Sequence, residues 1–400
     1  MKLLTSAATG LIALALATSA QAQTKPTAQA GTQPDVKISA KAQPAVVELQ
    51  KAVTTNDRAK IAAALAAAQA AAQNNDDRWV IAGLQMKAAF AAKDYAGMSS
   101  AIDAIVASGH LTPDKAAENF KTIGTEQYNA KDYAGAAVQF GKAVKLQPTD
   151  PEGLKLLGQS LLLGGNATEA VSVIQRGIAA STAAGAKPDE QLYRVGVQAA
   201  FDAKAPQLND MAQQWLAAYP SADSWRNNLA IFRNSAILDE SGTLALLRLM
   251  DATGSLKGPE YSGYLKDLLL QSNFNEAHAV LDRAVAAKII DGSGSDAAAV
   301  KSKPTASVAD LAAAAKTARS GMVLLKIGDR FYGSGEYAKA ADLYRQAKAK
   351  GVDGPTADLF TGIALARGGD KAGARAVLSS VSGPRAGLAK YWLLYLDQHS

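Results

Sequence analysis

The sequence contains no cysteine. That excludes a disulfide framework, a thiolate metal site and a cysteine nucleophile, and it leaves stability to core packing. Histidine is scarce: His110, His278 and His399 lie far apart, and none has a second His or a carboxylate at ligand spacing. No GxSxG, HExxH or P-loop pattern occurs. Gly292-Ser293-Gly294-Ser295 lacks the Lys and the helix start that a phosphate cradle needs, so it reads as a loop. There is no dense block of one charge either. The formal net charge is +6, with Lys and Arg interleaved among acids, a pattern that speaks against nucleic-acid binding. No cofactor, metal or catalytic residue is expected.

Long apolar runs are also missing. The run through Leu11-Ile12-Ala13-Leu14-Ala15-Leu16 falls short of the roughly 20 residues that span a bilayer. With Lys2 before it and Ala20-Gln21-Ala22 after it, residues 1–22 read as a secretory signal peptide cleaved after Ala22. No cysteine follows that site for a lipid anchor, so no stable membrane anchor is expected after cleavage, and the address is periplasmic or secreted. Residues 23–43, rich in Thr, Gln, Ala, Lys and Pro without apolar periodicity, read as a disordered leader.

What is present is a repeat. Gly124 returns as Gly158, Ala136 as Ala170, and Phe140 as Ile174, at a period of 34 residues. Phe120, Ile123 and Gly124 share one face of a first helix. Asp132 then stands at an N-cap, and Tyr133, Ala136, Phe140, Ala143 and Val144 line a second helix closed by Pro148. The small Gly124 and Ala136 are expected where the two helices cross. The turn Lys131-Asp132-Tyr133 recurs as Lys93-Asp94-Tyr95, Gly165-Asn166-Ala167, Ser272-Asn273-Phe274, Gly335-Glu336-Tyr337 and Gly369-Asp370-Lys371. Gly328 and Gly362, and Ala340 and Ala374, repeat the spacing late in the chain. Asn166-Ala167-Thr168 matches a glycosylation acceptor, but the capping position explains Asn166 without it. The acidic pairs Asp76-Asp77 and Asp239-Glu240 sit just ahead of helices, where orphan N–H groups favour acids. The organisation expected is a helical array over 44–290, a flexible linker over 291–306, and further repeats with a capping helix over 307–400.

These motifs resemble the tetratricopeptide repeat family, with Gln127 standing where an aromatic is usual. The resemblance implies an all-α solenoid of stacked antiparallel helix pairs in a right-handed superhelix. It further implies a partner held on the face lined by first helices. Carried over position by position, that face holds Lys121, Thr125 and Tyr128, then Lys155, Gln159 and Leu162, then Tyr193 and Val197. Some members clamp a peptide carboxylate with Lys and Asn; here Thr125, Gln159 and Asp329 stand where Asn is expected, which argues against such a clamp. The reading is an exported, non-enzymatic scaffold for a protein or peptide partner in the bacterial cell envelope, with self-association left open. The alternative is an accessory or enzymatic role in peptidoglycan or polysaccharide processing. It would need a separate catalytic domain, for which the repeats leave little room.

Overall fold

The repeating turn dictates how the chain folds back on itself. In all six copies the first residue adopts positive φ, from 51° at Lys93 to 86° at Gly165, and the second is the N-cap of the following helix. One left-handed residue reverses the chain. The cap side chain then takes an orphan N–H: Asp94 accepts from Gly97 N, Asp132 from Gly135 N, Asn166 from Glu169 N, and Asp370 from Gly373 N.

The computed structural model describes residues 36–399. The expected signal peptide and most of the expected leader lie outside these residues. Within them every regular element is a helix, and the chain divides into two compact units at Pro206/Gln207. Each unit is an α-solenoid of stacked antiparallel helix pairs. No described helix is long and apolar enough to cross a membrane.

The first unit comprises α1 (Gln43–Thr55), α2 (Arg58–Ala71), α3 (Asn75–Ala91), α4 (Tyr95–Ala107), α5 (Pro113–Asn129), α6 (Tyr133–Leu146), α7 (Pro151–Leu163), α8 (Ala167–Ala183) and α9 (Glu190–Asp202). Each helix packs on its neighbours in sequence. The crossing expected at Gly124 is present: a methyl group there would lie 2.8 Å from the Phe140 ring, and one at Gly158 would lie 2.5 Å from Ile174 Cδ1. Gln127 replaces the usual aromatic by a different device, being buried and donating to Asp132 Oδ2 at 2.6 Å. The described part of the leader expected over 23–43, residues 36–43, is held against the first unit. Asp76 accepts from Lys37 N, Asp77 accepts from Ser39 N and Ser39 Oγ, and Val36 and Ile38 pack on the α1–α3 core.

The second unit comprises α10 (Leu208–Ala218), α11 (Ala222–Ser235), α12 (Glu240–Ala252), α13 (Gly258–Leu270), α14 (Phe274–Ala286), α15 (Ser295–Lys301), α16 (Val308–Thr317), α17 (Gly321–Gly333), α18 (Tyr337–Ala349), α19 (Gly354–Arg367), α20 (Lys371–Ser380) and α21 (Ala386–Gln398). Gly328 and Gly362 again sit at crossings, against Tyr344 and Leu378. The linker expected over 291–306 is not a boundary. It carries α15, whose Ala297 and Val300 are buried in this unit's core, because two apolar residues at i,i+3 give even a short helix a face to bury. The last helix, expected as a cap, does more than cover one end. Tyr391 meets Trp225 and Phe232 of α11, Gln398 accepts from Trp225 Nε1 at 2.9 Å, and Arg385 pairs with Asp239 at 2.6 Å. The start and end of the unit are thereby joined, unlike those of an open array.

Candidate partner-binding register

The left-handed turn residue gives each first helix a common origin. Three residues before it stand Phe90 on α3, Tyr128 on α5, Leu162 on α7 and Phe201 on α9; in α9 the turn residue is Lys204, at φ 50°. Phe90 and Phe201 are each 55% exposed, and Tyr128 and Leu162 are half-buried. Six residues before the turn stand Lys87, Thr125, Gln159 and Gln198, none of them acidic and none buried.

Ten residues before the turn lie Lys121 and Lys155. Lys121 Nζ reaches Asp150, the N-cap of α7, at 3.0 Å, and Lys155 Nζ reaches Asp189, the N-cap of α9, at 2.8 Å. Each Lys thus ties its helix to the cap of the next first helix. Burial alone would lower the Lys155 pKa, but its bonds to Asp189 and Glu152 outweigh that and raise it. The same bond from Lys155 holds Asp189 below the ordinary carboxylate range. Thr125 Oγ1 donates back to Lys121 O, and the Tyr128 ring meets Tyr133 edge-on at 5.3 Å.

Two expected site residues need correction. Tyr193 and Val197 are each 6% exposed, so they belong to the packed interior. The α9 residues in register with Lys121, Thr125 and Tyr128 are Arg194, Gln198 and Phe201. Aligning Gly196 with Gly124 and Gly158 slips the frame by one residue, because α9 turns at Lys204 and places Val197 where α5 and α7 have Gly.

The second unit fills the same positions differently. On α17 they are Leu325, Asp329 and Tyr332, all buried, and Arg248 of α12 lies against the last two. Its side chain has no exposed surface. Nε and Nη2 donate to Glu276 at 2.8 and 2.6 Å, Nη2 donates to Asp329 Oδ1 at 2.9 Å, and the guanidinium sits 4.0 Å from the Tyr332 ring centroid. Tyr264 OH and Asn273 Nδ2 also donate to Glu276, and Tyr344 OH donates to Asp329. Burial opposes the charge on Arg248, but Glu276 and the other groups around it hold the pKa well above its ordinary value, so the cation persists. Burial pushes the Asp329 carboxyl up, Arg248 only partly offsets this, and nearby Glu276 adds to it. A small cavity of about 120 Å³ adjoins the cluster at the N-terminal end of α12, lined among others by Leu244, Asn273, Lys326 and Asp329.

Of the acids and histidines singled out in the sequence, Asp76, Asp77, Asp239 and all three histidines have structural partners among the described residues. Asp77 is caged at the head of α3: burial would raise its pKa, but bonds from Ser39 Oγ, Gln73 N and Ser39 N outweigh that and lower it. Asp239 caps α12 and is held low by Arg385. His110 stacks on Trp79 and meets Asp76 at 3.1 Å, His278 bonds Lys303 O, and His399 bonds Tyr395 O. Among the described residues no group of His and carboxylate side chains could hold a metal ion.

The tetratricopeptide repeat family model matches residues 121–185 in the first unit and 325–392 in the second. No curated protein matches the chain. Among solved structures, the chain is similar to the TPR2AB domain of yeast Sti1 in complex with an HSP90 peptide, at 14% identity and TM-score 0.27, covering 70% of this chain and 96% of that one. It is also similar to a tetratricopeptide repeat protein from Parabacteroides merdae, at 10% identity and TM-score 0.25, covering 81% and 99%. The TPR domain of P58(IPK) stands at 10% identity and TM-score 0.24, covering 90% and 100%. Scores this low carry no weight for the arrangement of the helices.

Proposed function

We propose that this protein is a non-enzymatic scaffold whose first unit holds a protein or peptide partner along the register of α3, α5, α7 and α9. The observation that carries the proposal is the row Phe90, Tyr128, Leu162 and Phe201: one position, apolar or aromatic in four successive first helices, with both end members more than half exposed. A single exposed apolar side chain is ordinary, but its return at one structural position in successive repeats is the pattern a shared interaction surface would carry. The polar row beside it, Thr125, Gln159 and Gln198, supplies donors and acceptors for a peptide backbone. Lys121 and Lys155 are already paired with N-cap carboxylates, so they set the spacing of the helices and bind no partner carboxylate.

The setting belongs to the same proposal. Lys2, the short apolar run and Ala20-Gln21-Ala22 support export to the bacterial envelope; sequencing of the mature N-terminus is expected to begin at Gln23. The partner reading is tested by placing a photocrosslinking amino acid at Thr125 or Gln159 in intact cells. One defined adduct is expected, falling about tenfold in the double variant Phe90→Ser, Phe201→Ser, whose thermal unfolding stays unchanged. Equal yield from a crosslinker at the second-helix position Val138, or an unchanged yield in the double variant, would refute it.

A further inference from the structure

We infer that α12 is the second unit's own ligand: a helix of the same chain whose Arg248 fills the α17 register and closes that position to any outside partner. The inference rests on the proposed function of this register in the first unit. Three observations carry it. Arg248 reaches Asp329 and Tyr332, which occupy on α17 the places held by Thr125 and Tyr128 on α5. The helix is enclosed, with Leu244, Ala245, Leu246, Leu249 and Met250 all buried beside Arg248. Both ends are fastened: Asp239, its N-cap, pairs with Arg385 at 2.6 Å, and Asp251 near its C-terminus pairs with Arg283 at 2.6 Å and accepts from Tyr261 OH at 2.9 Å.

The fit is also selective. The second unit meets the arginine with two carboxylates, Glu276 and Asp329, whereas the first unit offers Lys87, Thr125, Gln159 and Gln198 along the row that contains Asp329. An α12-like helix brought to the first unit would therefore bury an arginine without a counter-ion, at prohibitive cost. The first unit's row offers no carboxylate to a central basic anchor, and the α17 part of the second unit's register is already filled.

Hydrogen exchange on the full chain tests this. In the wild-type protein, the amides of residues 244–250 should exchange in step with those of α19, through one cooperative opening; exchange about 100-fold faster than α19 would overturn the inference. A labelled peptide of residues 239–253, added in trans, should not bind the wild-type chain, and saturable binding at micromolar concentration would overturn the claim of occupancy. In Arg248→Lys, which keeps the charge but loses the bidentate fork, exchange in α12 should rise about tenfold while α5 to α8 stay as they were. Unchanged exchange in α12 would remove the anchor from the account. Failure of the crosslinks at Thr125 and Gln159 would strike the first unit's role alone, since these readings concern α12.

Discussion

The two units carry the same repeat and use it in opposite ways. In the first, ions lie at the margins: Lys121 and Lys155 join one helix to the cap of the next while staying partly in water, and the apolar row beside them is left open. In the second, an ion cluster lies at the centre, with Arg248 between Glu276 and Asp329 and no solvent contact. Opposite charges are present in both, so charge alone does not separate them. Burial does. A partly exposed pair is screened and contributes on the order of 0–1 kcal/mol, whereas removing one partner of a buried pair strands the other at a cost of about 3–5 kcal/mol. On the function proposed above, one framework of helix pairs serves as a receptor or as a sealed body according to whether a helix of its own fills the register.

The sharpest way to break this comparison is to remove the cation from each unit in turn. Arg248→Met should destabilise the second unit by about 3–5 kcal/mol, because Glu276 and Asp329 are left facing each other without a counter-charge. Lys121→Met should cost the first unit less than about 1 kcal/mol. Denaturant unfolding followed by hydrogen exchange in each unit measures both. Equal losses would mean that the cluster around Arg248 is no more structural than a surface pair.

The carboxylates sharpen the comparison through pH. Asp77 in the first unit has a lowered pKa, so its contribution is present above the unfolded carboxyl value near 3.9 and is lost as pH falls through its folded value. Asp329 in the second unit is raised, so its contribution is complete below that unfolded value and is lost as pH rises through its folded one. Asp77→Asn should cost the first unit about 1.5–3 kcal/mol at neutral pH, through weakened bonds to Ser39 and Gln73, and should blunt its acid sensitivity. Asp329→Asn keeps an oxygen for Arg248 and Tyr344, and should flatten the second unit's decline as pH rises above the unfolded carboxyl value. Unfolding free energies of both units across pH 4–8 check the signs. If Asp329→Asn leaves the slope of the second unit unchanged, its carboxyl is already ionised throughout that range.

Much of this was legible in the sequence. The six turns, the capping role of Asp132 and the close crossing at Gly124 follow from local chemistry that one repeat specifies by itself. The expected boundary at 291–306 failed because Gly and Ser mark a loop without saying whether the flanking helices share a core, and Ala297 and Val300 show that they do. The slip at Tyr193 and Val197 came from anchoring α9 on a glycine, where the left-handed turn at Lys204 is the firmer origin. The occupancy of the second register depends on a pairing across 81 residues, from Arg248 to Asp329, which periodicity does not encode. A signal for it did exist. Arg248 interrupts an otherwise apolar Leu244 to Met250, and Asp329 puts an acid where the earlier repeats have Lys, Thr or Gln; two such breaks of opposite charge point to a buried pair.

The smallest effect concerns what both units share. Lys131 holds φ at 63° in the first unit and Ser272 holds 57° in the second, where sibling turns use Gly165, Gly335 and Gly369. A side chain in this region is strained by roughly 1–2 kcal/mol, and glycine relieves that strain while loosening the unfolded chain, leaving a net gain of about 0.5–1 kcal/mol. Lys131→Gly and Ser272→Gly should therefore stabilise their units by similar amounts, read as upward shifts in the denaturation midpoint at unchanged slope. Lys131 is exposed and enters no ion pair among the described residues, so nothing else changes with it. If only the first unit gained, the turn at Ser272 would be held by the closed core around α12 and not by its own backbone, and the difference between the units would reach down to the repeat itself.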